Sequence, residues 1–409
     1  MPRDFNVPSF YRSPSVLAVK NARTSQDPRK RDLKPSLLDF GPVRFKLARH
    51  FGFCFGVENA IEIAYRVVSE NPEKRIFLLS EMIHNPQVNN DLIARGVRFL
   101  MRTDGTRLID FSELTPDDIV IVPAFGTTIE LQNELTALGI DPYLHDATCP
   151  FVEKVWKRSA ELGRNGFTVI VHGKRSHEET RATFSHSRQT SPTLVVRDQN
   201  ESRRVIQFMK GEITNDELMK EFKESVSAEF NPTLHLVRIG VVNQTTMLAS
   251  ETQGIANMFR EAMLEIYGEE KISEHFADTK DTLCYATNEN QTATRLLTEE
   301  GADVAIVVGG YNSSNTSHLV ELCEMKMPTY FIQDETEIIN NNEIRHFDLH
   351  SHKIITTNNW LPQLDNCAID FAITAGASCP DKIVDSVIRR IASFYPAARS
   401  FDEIAIANA

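Results

Sequence analysis

An apolar run leads directly into a polar turn in residues 304–314, which read VAIVVGGYNSS. A short apolar run that ends at glycines is typical of a buried strand in a parallel sheet. Cys284 lies 29 residues before Ser313 and is followed by apolar residues at helical spacing. The order of cysteine, helix, strand and polar turn indicates one unit of an open α/β fold, in which ligands gather beyond the carboxyl ends of the strands.

Two earlier parts of the chain repeat this order. Cys54 precedes His84, which ends IFLLSEMIH, by 30 residues, and Cys149 precedes His177, which ends TVIVHGKRSH, by 28. Each unit also has a second predicted strand that ends in polar residues. These strands are VIVPAFGTT, which ends at Thr127 and Thr128, VRIGVVNQTT, which ends at Thr245 and Thr246, and FAITAGAS, which ends at Ser378. The pattern predicts an α/β fold of three pseudo-repeated units with small, mainly parallel sheets.

The length of 409 residues exceeds what one hydrophobic core normally supports. We expect the first unit at 43–148, the second at 149–283 and the third, with a C-terminal segment, at 284–395. Residues 1–42 carry eight Lys or Arg without a sustained period, which predicts a basic, flexible arm. The charged stretch 197–232 interrupts the second unit and is expected to be an insertion with some helix and no chemistry.

Composition restricts the classes of function. A net charge of −12 and a pI near 5.5 argue against broad nucleic-acid binding. No apolar run approaches the roughly 18 residues that span a membrane, so we expect the cytosol or, alternatively, the plastid stroma. Six cysteines in so long a chain favour metal or redox chemistry over a disulfide framework, and Cys323, Cys367 and Cys379 are expected to be buried thiols.

Three cysteines at helix starts, Cys54, Cys149 and Cys284, can serve as thiolate ligands because helix amides favour the thiolate. Two sites fit three thiolates: a zinc ion completed by a histidine, or a 4Fe–4S cluster with one open iron. The absence of Cys-x2-Cys and Cys-x4-Cys pairs favours the cluster. An open iron acts as a Lewis acid and the cluster supplies electrons, which suits removal of a hydroxyl group.

Two polar segments could serve a substrate. In HGKRSHEET, Glu179 is a candidate proton donor, although Glu178 and Glu179 could also be solvated carboxylates beside a helix cap. The segment GGYNSSNTSH could simply cap a helix, or its glycines, hydroxyls and helix-start amides could form a neutral phosphate cradle. Further donors could come from His84, His177, Gln244, Thr245 and Ser378.

The chain resembles the LytB-type 4-hydroxy-3-methylbut-2-enyl diphosphate reductases. Segments carrying this resemblance run in order from Phe51 to Asp381, and they are GFCFGVENAI, HNPQV, DATCPFVEKV, HGKRSHEET, NQTT, DTLCYATNENQ, GGYNSSNTSHL and TAGASCPD. The resemblance implies a trefoil of three α/β domains around one 4Fe–4S cluster, whose three cysteine ligands are Cys54, Cys149 and Cys284. It also implies that Glu179 is the proton-delivering acid and Thr245 a substrate-side hydroxyl, and that the diphosphate-binding residues are His84, His177, Ser313, Ser314, Asn315 and Ser378.

The activity implied by the resemblance is the last step of the non-mevalonate isoprenoid pathway. In that step (E)-4-hydroxy-3-methylbut-2-enyl diphosphate is reductively dehydroxylated to isopentenyl and dimethylallyl diphosphate, with electrons from ferredoxin or flavodoxin. Two other functions fit the cysteines: an iron–sulfur hydro-lyase that needs no electron donor, and a non-enzymatic redox or iron sensor.

The chain departs from a common form of the family pattern at two places. Phe125 stands where many members have a diphosphate-binding histidine, although plant and cyanobacterial members look similar to this chain there. The candidates for the phosphate contacts of that histidine are then Thr127, Thr128 and the pair Lys174 and Arg175. The sequence His-Glu-Glu replaces His-Pro-Glu, which leaves the choice between Glu178 and Glu179 open.

Overall fold

The computed structural model describes residues 5–29, 31–279, 282–362 and 368–407. Along these residues the strands are β1 Ser36–Asp39, β2 Val43–Leu47, β3 Ile76–Leu78, β4 Arg98–Phe99, β5 Ile119–Ile121, β6 Thr168–His172, β7 Thr193–Val196, β8 Ile239–Asn243, β9 Phe276–Ala277, β10 Val304–Val308, β11 Thr329–Ile332, β12 Glu343–Asp348, β13 Lys353–Asn358 and β14 Ile369–Ala375. The helices are α1 Pro14–Gln26, α2 Phe55–Glu70, α3 Pro86–Ala94, α4 Ile129–Ala137, α5 Pro150–Arg164, α6 Glu178–Ser187, α7 Gln199–Met209, α8 Asn215–Phe222, α9 Pro232–His235, α10 Ala249–Tyr267, α11 Ile272–His275, α12 Tyr285–Glu299, α13 Ser314–Glu324, α14 Asp381–Ala392 and α15 Phe401–Ala407.

The strands form small, mainly parallel sheets. Strands β4, β3 and β5 make one parallel sheet in that order, and β7, β6, β8 and β9 make another. A five-stranded sheet has the order β1, β2, β14, β10, β11, and its antiparallel pair is β1 with β2. Strands β12 and β13 form an antiparallel hairpin. The predicted α/β class with small, mainly parallel sheets is confirmed.

The chain divides into two compact units. The first comprises 1–58, 84–88 and 285–409 and contains the five-stranded sheet, and the second comprises 59–83 and 89–284 and contains the other two parallel sheets. Strand β2, at the start of the predicted unit 43–148, pairs with β14 and not with β3. Parallel pairing joins strands that are far apart in sequence, so local spacing does not reveal that β2 pairs with β14. The division into three units at 148 and 283 stays a prediction.

The predicted flexible arm is wrong for its described residues. Helix α1 begins after Ser13, whose hydroxyl accepts a hydrogen bond from the Val16 amide at 3.2 Å. Val16 and Val19 are buried in the same apolar core as Phe45 and Ile306 of the five-stranded sheet. The many basic residues suggested a flexible arm. The same stretch also has a short apolar face at helical spacing beside a Ser-Pro helix start, and that face predicts a packed helix.

The charged stretch 197–232 contains helices α7 and α8, as the sequence suggested. Val205, Leu218 and Phe222 of this stretch are buried together with Ile170 of β6 and Val241 of β8. The stretch therefore contributes apolar side chains to the core of the second unit. Among the described residues, no helix has both the length and the apolar character that a membrane crossing requires.

Candidate functional site

In the first unit, two neighbouring strands deliver polar turns to the same edge of the sheet. Strands β10 and β14 are parallel, Val308 lies opposite Ala375, and the Gly376 amide donates to the Val308 carbonyl at 3.0 Å. Beyond this point the Ala377 amide donates to the Asn315 side-chain oxygen at 3.2 Å. The predicted phosphate residues that follow β10 therefore lie against the turn that follows β14.

His84 joins the same group of residues. The Ser378 hydroxyl donates to the His84 carbonyl oxygen at 3.0 Å. A β-carbon on Gly310 would lie 2.4 Å from that carbonyl oxygen, and one on Gly376 would lie 2.0 Å from the Thr316 hydroxyl oxygen. Both positions need glycine because the turns pack too closely for a side chain.

The start of helix α13 supplies hydrogen-bond donors to this region. Ser313 caps the helix by accepting from the Thr316 amide at 3.3 Å, and Ser313 and Ser314 are buried. Asn315 is only 3% exposed, and its side-chain nitrogen has no hydrogen-bond partner among the described residues. A buried amide without an acceptor is costly unless a ligand supplies one. The arrangement suits an oxyanion, because helix-start amides also favour negative charge. We call the group His84, Ser313, Ser314, Asn315 and Ser378 the donor cradle.

Cys54 lies beside the donor cradle. Its amide donates to the Ala377 carbonyl at 3.1 Å, and helix α2 begins at the next residue. The Phe55 amide donates to the Tyr285 hydroxyl oxygen at 3.1 Å, and this bond ties the start of α12 to the start of α2. Tyr285 is a supporting residue that the sequence argument missed, although its position directly after Cys284 was a signal.

In the second unit, the Cys149 thiol is close enough to Cys284 and Glu179 for their charges to change its pKa. Cys149 caps helix α5, and burial is the largest cause that raises the pKa of its thiol to about 11. The charges of Cys284 and Glu179 raise this pKa further, whereas the amides of Phe151 and Val152 lower it. The first amides of α5 therefore act on the Cys149 sulfur and partly oppose the effect of burial. The role of Cys149 as a thiolate ligand stays a prediction.

Glu179 makes direct contact with another predicted site residue. Its carboxylate accepts from the Thr245 amide at 2.5 Å and from the Thr245 hydroxyl at 3.0 Å, and Glu179 is 1% exposed. The Cys284 amide donates to the Thr245 carbonyl at 3.2 Å. Glu178 instead accepts a hydrogen bond from Ser80. The geometry therefore favours Glu179 over Glu178 as the acid associated with Thr245.

His177 is oriented by its backbone and by Phe125. It caps helix α6, and its Nδ1 accepts from the Glu179 amide at 3.2 Å. A neutral imidazole whose Nδ1 accepts carries its proton on Nε2. The Phe125 ring meets the His177 ring edge to face, with centroids 5.7 Å apart. The residue that departs from the common family pattern thus supports a predicted diphosphate ligand.

Three of the four residues that could replace the missing histidine make contacts that support the fold. Thr128 caps helix α4, and the Thr127 carbonyl accepts from the His186 ring at 3.1 Å. Arg175 binds both carboxylate oxygens of Glu201, at 2.8 and 2.9 Å. These contacts give Thr127, Thr128 and Arg175 roles in the fold, and they do not indicate a second phosphate site.

The predicted cluster ligands are divided between the units. Cys54 belongs to the first unit, and Cys149 and Cys284 belong to the second. Over its described residues, neither unit by itself brings together three His, Cys, Asp or Glu side chains that could hold a metal ion. Cys323 and Cys379 are buried as predicted, and burial raises the pKa of both thiols. Cys367 lies outside the described residues.

Residues 45–392 match the sequence model of a family described as LytB protein. The chain belongs to the LytB family. The LytB chain is 41% identical over 352 residues to the 4-hydroxy-3-methylbut-2-enyl diphosphate reductase of Crocosphaera subtropica. The matched residues make up 86% of this chain and 85% of the relative. The LytB chain is 40% identical, over the same shares of both chains, to the reductase of that name from Thermosynechococcus vestitus.

A solved structure resembles the LytB chain in fold. It is the structure of the E-1-hydroxy-2-methyl-but-2-enyl-4-diphosphate reductase from Plasmodium falciparum, and it matches with a TM-score of 0.61 at 20% identity. The match covers 86% of this chain and 89% of the Plasmodium chain.

Proposed function

We propose that this LytB chain is a 4-hydroxy-3-methylbut-2-enyl diphosphate reductase. It reductively dehydroxylates (E)-4-hydroxy-3-methylbut-2-enyl diphosphate to isopentenyl and dimethylallyl diphosphate. The carbon–oxygen bond of the hydroxyl breaks, a carbon–hydrogen bond forms, and two electrons and two protons are consumed with release of water. The supporting observation is the donor cradle, in which a buried Asn315 amide has no acceptor and Cys54 is the adjacent thiol.

The donor set fits a 4Fe–4S cluster held by Cys54, Cys149 and Cys284. These three cysteines are half-buried, and each stands directly before or at the cap of a helix, whereas Cys323 and Cys379 are fully buried. The Cys284 amide is hydrogen-bonded to Thr245, and Thr245 is hydrogen-bonded to Glu179. The charge of Glu179 also acts on the Cys149 thiol. When bound, such a cluster supplies electrons one at a time and an iron without a protein ligand.

The residues of the chain bind the substrate and deliver protons. The donor cradle and His177 bind the diphosphate through neutral donors, which suits a protein of net charge −12. Glu179 holds the proton that the reaction consumes, and its contact with Thr245 fixes both side chains. The nearly complete burial of Glu179 keeps bulk water from this carboxyl.

The electron donor is a small one-electron carrier protein of the ferredoxin or flavodoxin kind. We place the reaction in the cytosol or the plastid stroma.

Anaerobic purification followed by iron and sulfide analysis and a turnover assay with reduced ferredoxin tests this function. We expect about four irons per chain and formation of both products only when an electron donor is present. Full activity of an iron-free protein would refute the proposal. Turnover without any electron donor would instead indicate the hydro-lyase.

A further inference from the structure

A cavity of about 200 Å³ lies in the first unit beside the loop that carries Cys54. None of the donor-cradle residues lines it. The side chains that matter for its chemistry are Lys20, Arg49, His50, Cys54, Glu289 and Asn290. Its volume is several times the roughly 30 Å³ of one water molecule, so it is large enough for a small polyatomic ion.

Arg49 is a buried cation that forms no ion pair with a carboxylate in the described part of the chain, and Asp27, Asp32 and Glu289 act on its charge from farther away. It is 7% exposed, and among the described residues its one hydrogen bond runs from the guanidinium to the Arg23 carbonyl at 3.4 Å. Its Nε has no hydrogen-bond partner within the described ranges of the chain. Burial lowers the pKa of Arg49, yet a guanidinium stays protonated near neutral pH. A buried, charged and incompletely bonded guanidinium favours an anion in the space that it lines.

A second unpartnered donor lines the same cavity. Asn290 is 4% exposed, and its side-chain nitrogen has no hydrogen-bond partner among the described residues. The other charged groups at the cavity have partners, because Lys20 binds Asp381 at 2.7 Å and His50 lies 3.4 Å from Glu289. The two donors left over are buried nitrogens of Arg49 and Asn290, and both of these residues line the cavity, which favours one acceptor-rich occupant.

We propose that this cavity is an anion site, separate from the donor cradle, that takes a small oxyanion. Arg49 and Asn290 bind the oxyanion, and its chemistry is that of a phosphate or carboxylate group. Guanidinium groups suit both, since their planar N–H donors match the spacing of oxyanion oxygens.

A bound oxyanion would also change the electrostatic surroundings of Cys54. This effect rests on the proposed function, in which Cys54 is a cluster ligand. Because Cys54 lines the cavity, the oxyanion adds negative charge next to a proposed cluster ligand. Negative charge near an iron–sulfur cluster disfavours the added electron and lowers the reduction potential. We therefore expect occupancy of the cavity to make the cluster harder to reduce.

The test is a calorimetric titration of the anaerobically purified full-length holoprotein with inorganic phosphate, and separately with acetate. The variants Arg49→Gln and Asn290→Leu each remove one donor. Arg203→Gln, on the surface helix α7, is the charge-matched control, and Asn315→Leu removes phosphate binding at the donor cradle. Thermal unfolding of each variant checks that it folds.

We expect Arg49→Gln and Asn290→Leu to weaken phosphate binding at the cavity at least about tenfold, as loss of a charge-assisted or buried hydrogen bond implies. Arg203→Gln and Asn315→Leu should leave that binding within about twofold. Competition by acetate would assign the site to carboxylates as well as phosphates.

Phosphate affinity in folded Arg49→Gln and Asn290→Leu equal to the unmodified protein would overturn the site. If Asn315→Leu abolishes all phosphate binding, the cavity site is wrong while the proposed reductase function stands. The reduction potential of the cluster is measured with and without phosphate. A potential that phosphate leaves unchanged, while phosphate binds, would disprove the coupling to Cys54.

Discussion

At the scale of single residues, Glu179, the proposed general acid, is held in one position by its hydrogen bonds. Its carboxylate is buried and fixed by two hydrogen bonds from Thr245, and the Glu179 amide in turn orients His177. One side chain thus connects two predicted substrate contacts. Glu178, its neighbour in sequence, contacts Ser80 instead.

We expect Glu179→Gln to lower kcat by about 10² to 10⁴ because the amide cannot deliver a proton. The measurement is single-turnover product formation under anaerobic conditions, with iron content as a check on cluster assembly. Glu178→Gln should lower kcat less, and Glu224→Gln, at an exposed position, serves as a surface control. A larger loss in Glu178→Gln than in Glu179→Gln would reassign the acid.

The five described cysteines separate into two classes by burial and position. We expect Cys54→Ser, Cys149→Ser and Cys284→Ser each to lose most of the iron, because serine is a poor ligand for iron–sulfur clusters. Cys323→Ser, Cys367→Ser and Cys379→Ser should retain it. Iron and sulfide analysis of all six purified variants tests this prediction. Equal iron content in both groups would contradict the ligand assignment.

Phe125 is expected to hold His177 in position through its ring contact. Phe125→Leu removes the edge-to-face interaction, which is worth about 0.5–1.5 kcal/mol, so KM for the diphosphate substrate should rise about 2- to 10-fold with kcat little changed. Phe394→Leu, at a partly buried position packed in the core of the first unit, is the control. An unchanged KM in Phe125→Leu would show that the contact does not serve substrate binding.

At the scale of elements, helix α1 and the residues before it brace the loop of Cys54. The Phe5 and Phe55 rings lie 4.9 Å apart, and the Tyr11 and Phe53 rings lie 5.8 Å apart. From the helix itself, the Lys20 ammonium donates to the Phe51 carbonyl at 3.1 Å. These contacts flank Cys54 on both sides in sequence, although the family match begins only at residue 45.

We expect Tyr11→Ala to lower the free energy of unfolding by about 3 kcal/mol, because a fully buried aromatic side chain is removed. It should also speed iron release to a chelator. Leu17→Ala, on the exposed face of α1, should change stability by no more than about 0.5 kcal/mol. Denaturant unfolding and chelator kinetics test both effects. Equal iron release in the two variants would show that the brace does not act on the Cys54 loop.

At the scale of the whole molecule, paired carboxylates make stability depend on acid pH. Burial raises the pKa of Glu130, but hydrogen bonds from Ser185 and Arg188 outweigh it and bring that pKa down to about 2. The Arg75 guanidinium likewise holds the pKa of buried Asp118 below its ordinary value. A folded pKa below the unfolded one gives stability that is present above the unfolded pKa and lost on acidification.

We expect the thermal midpoint to fall as the pH drops from above the ordinary Glu value near 4.5 towards 2. Glu130→Gln should be less stable than the unmodified protein at pH 6, and the difference should shrink by pH 3. Scanning calorimetry between these pH values measures it. A pH-independent difference would mean that the Glu130 charge does not contribute.

The sequence by itself determined the elements and the types of group at their ends. Apolar runs such as 304–308 predict buried strands, glycines and hydroxyls predict the turns after them, and Cys149 before Pro150 predicts a helix start. These features depend on residues within about one element of each other, so local spacing carries them.

Only the tertiary structure decided which distant segments meet. The pairing of β2 with β14, the packing of α1 against the five-stranded sheet and the hydrogen bond between Thr245 and Glu179 join residues tens to hundreds of positions apart. The same holds for the two unpartnered donors at the cavity of Arg49. Such contacts depend on packing and on hydrogen-bond satisfaction over the whole chain, and no local pattern of residue types specifies them.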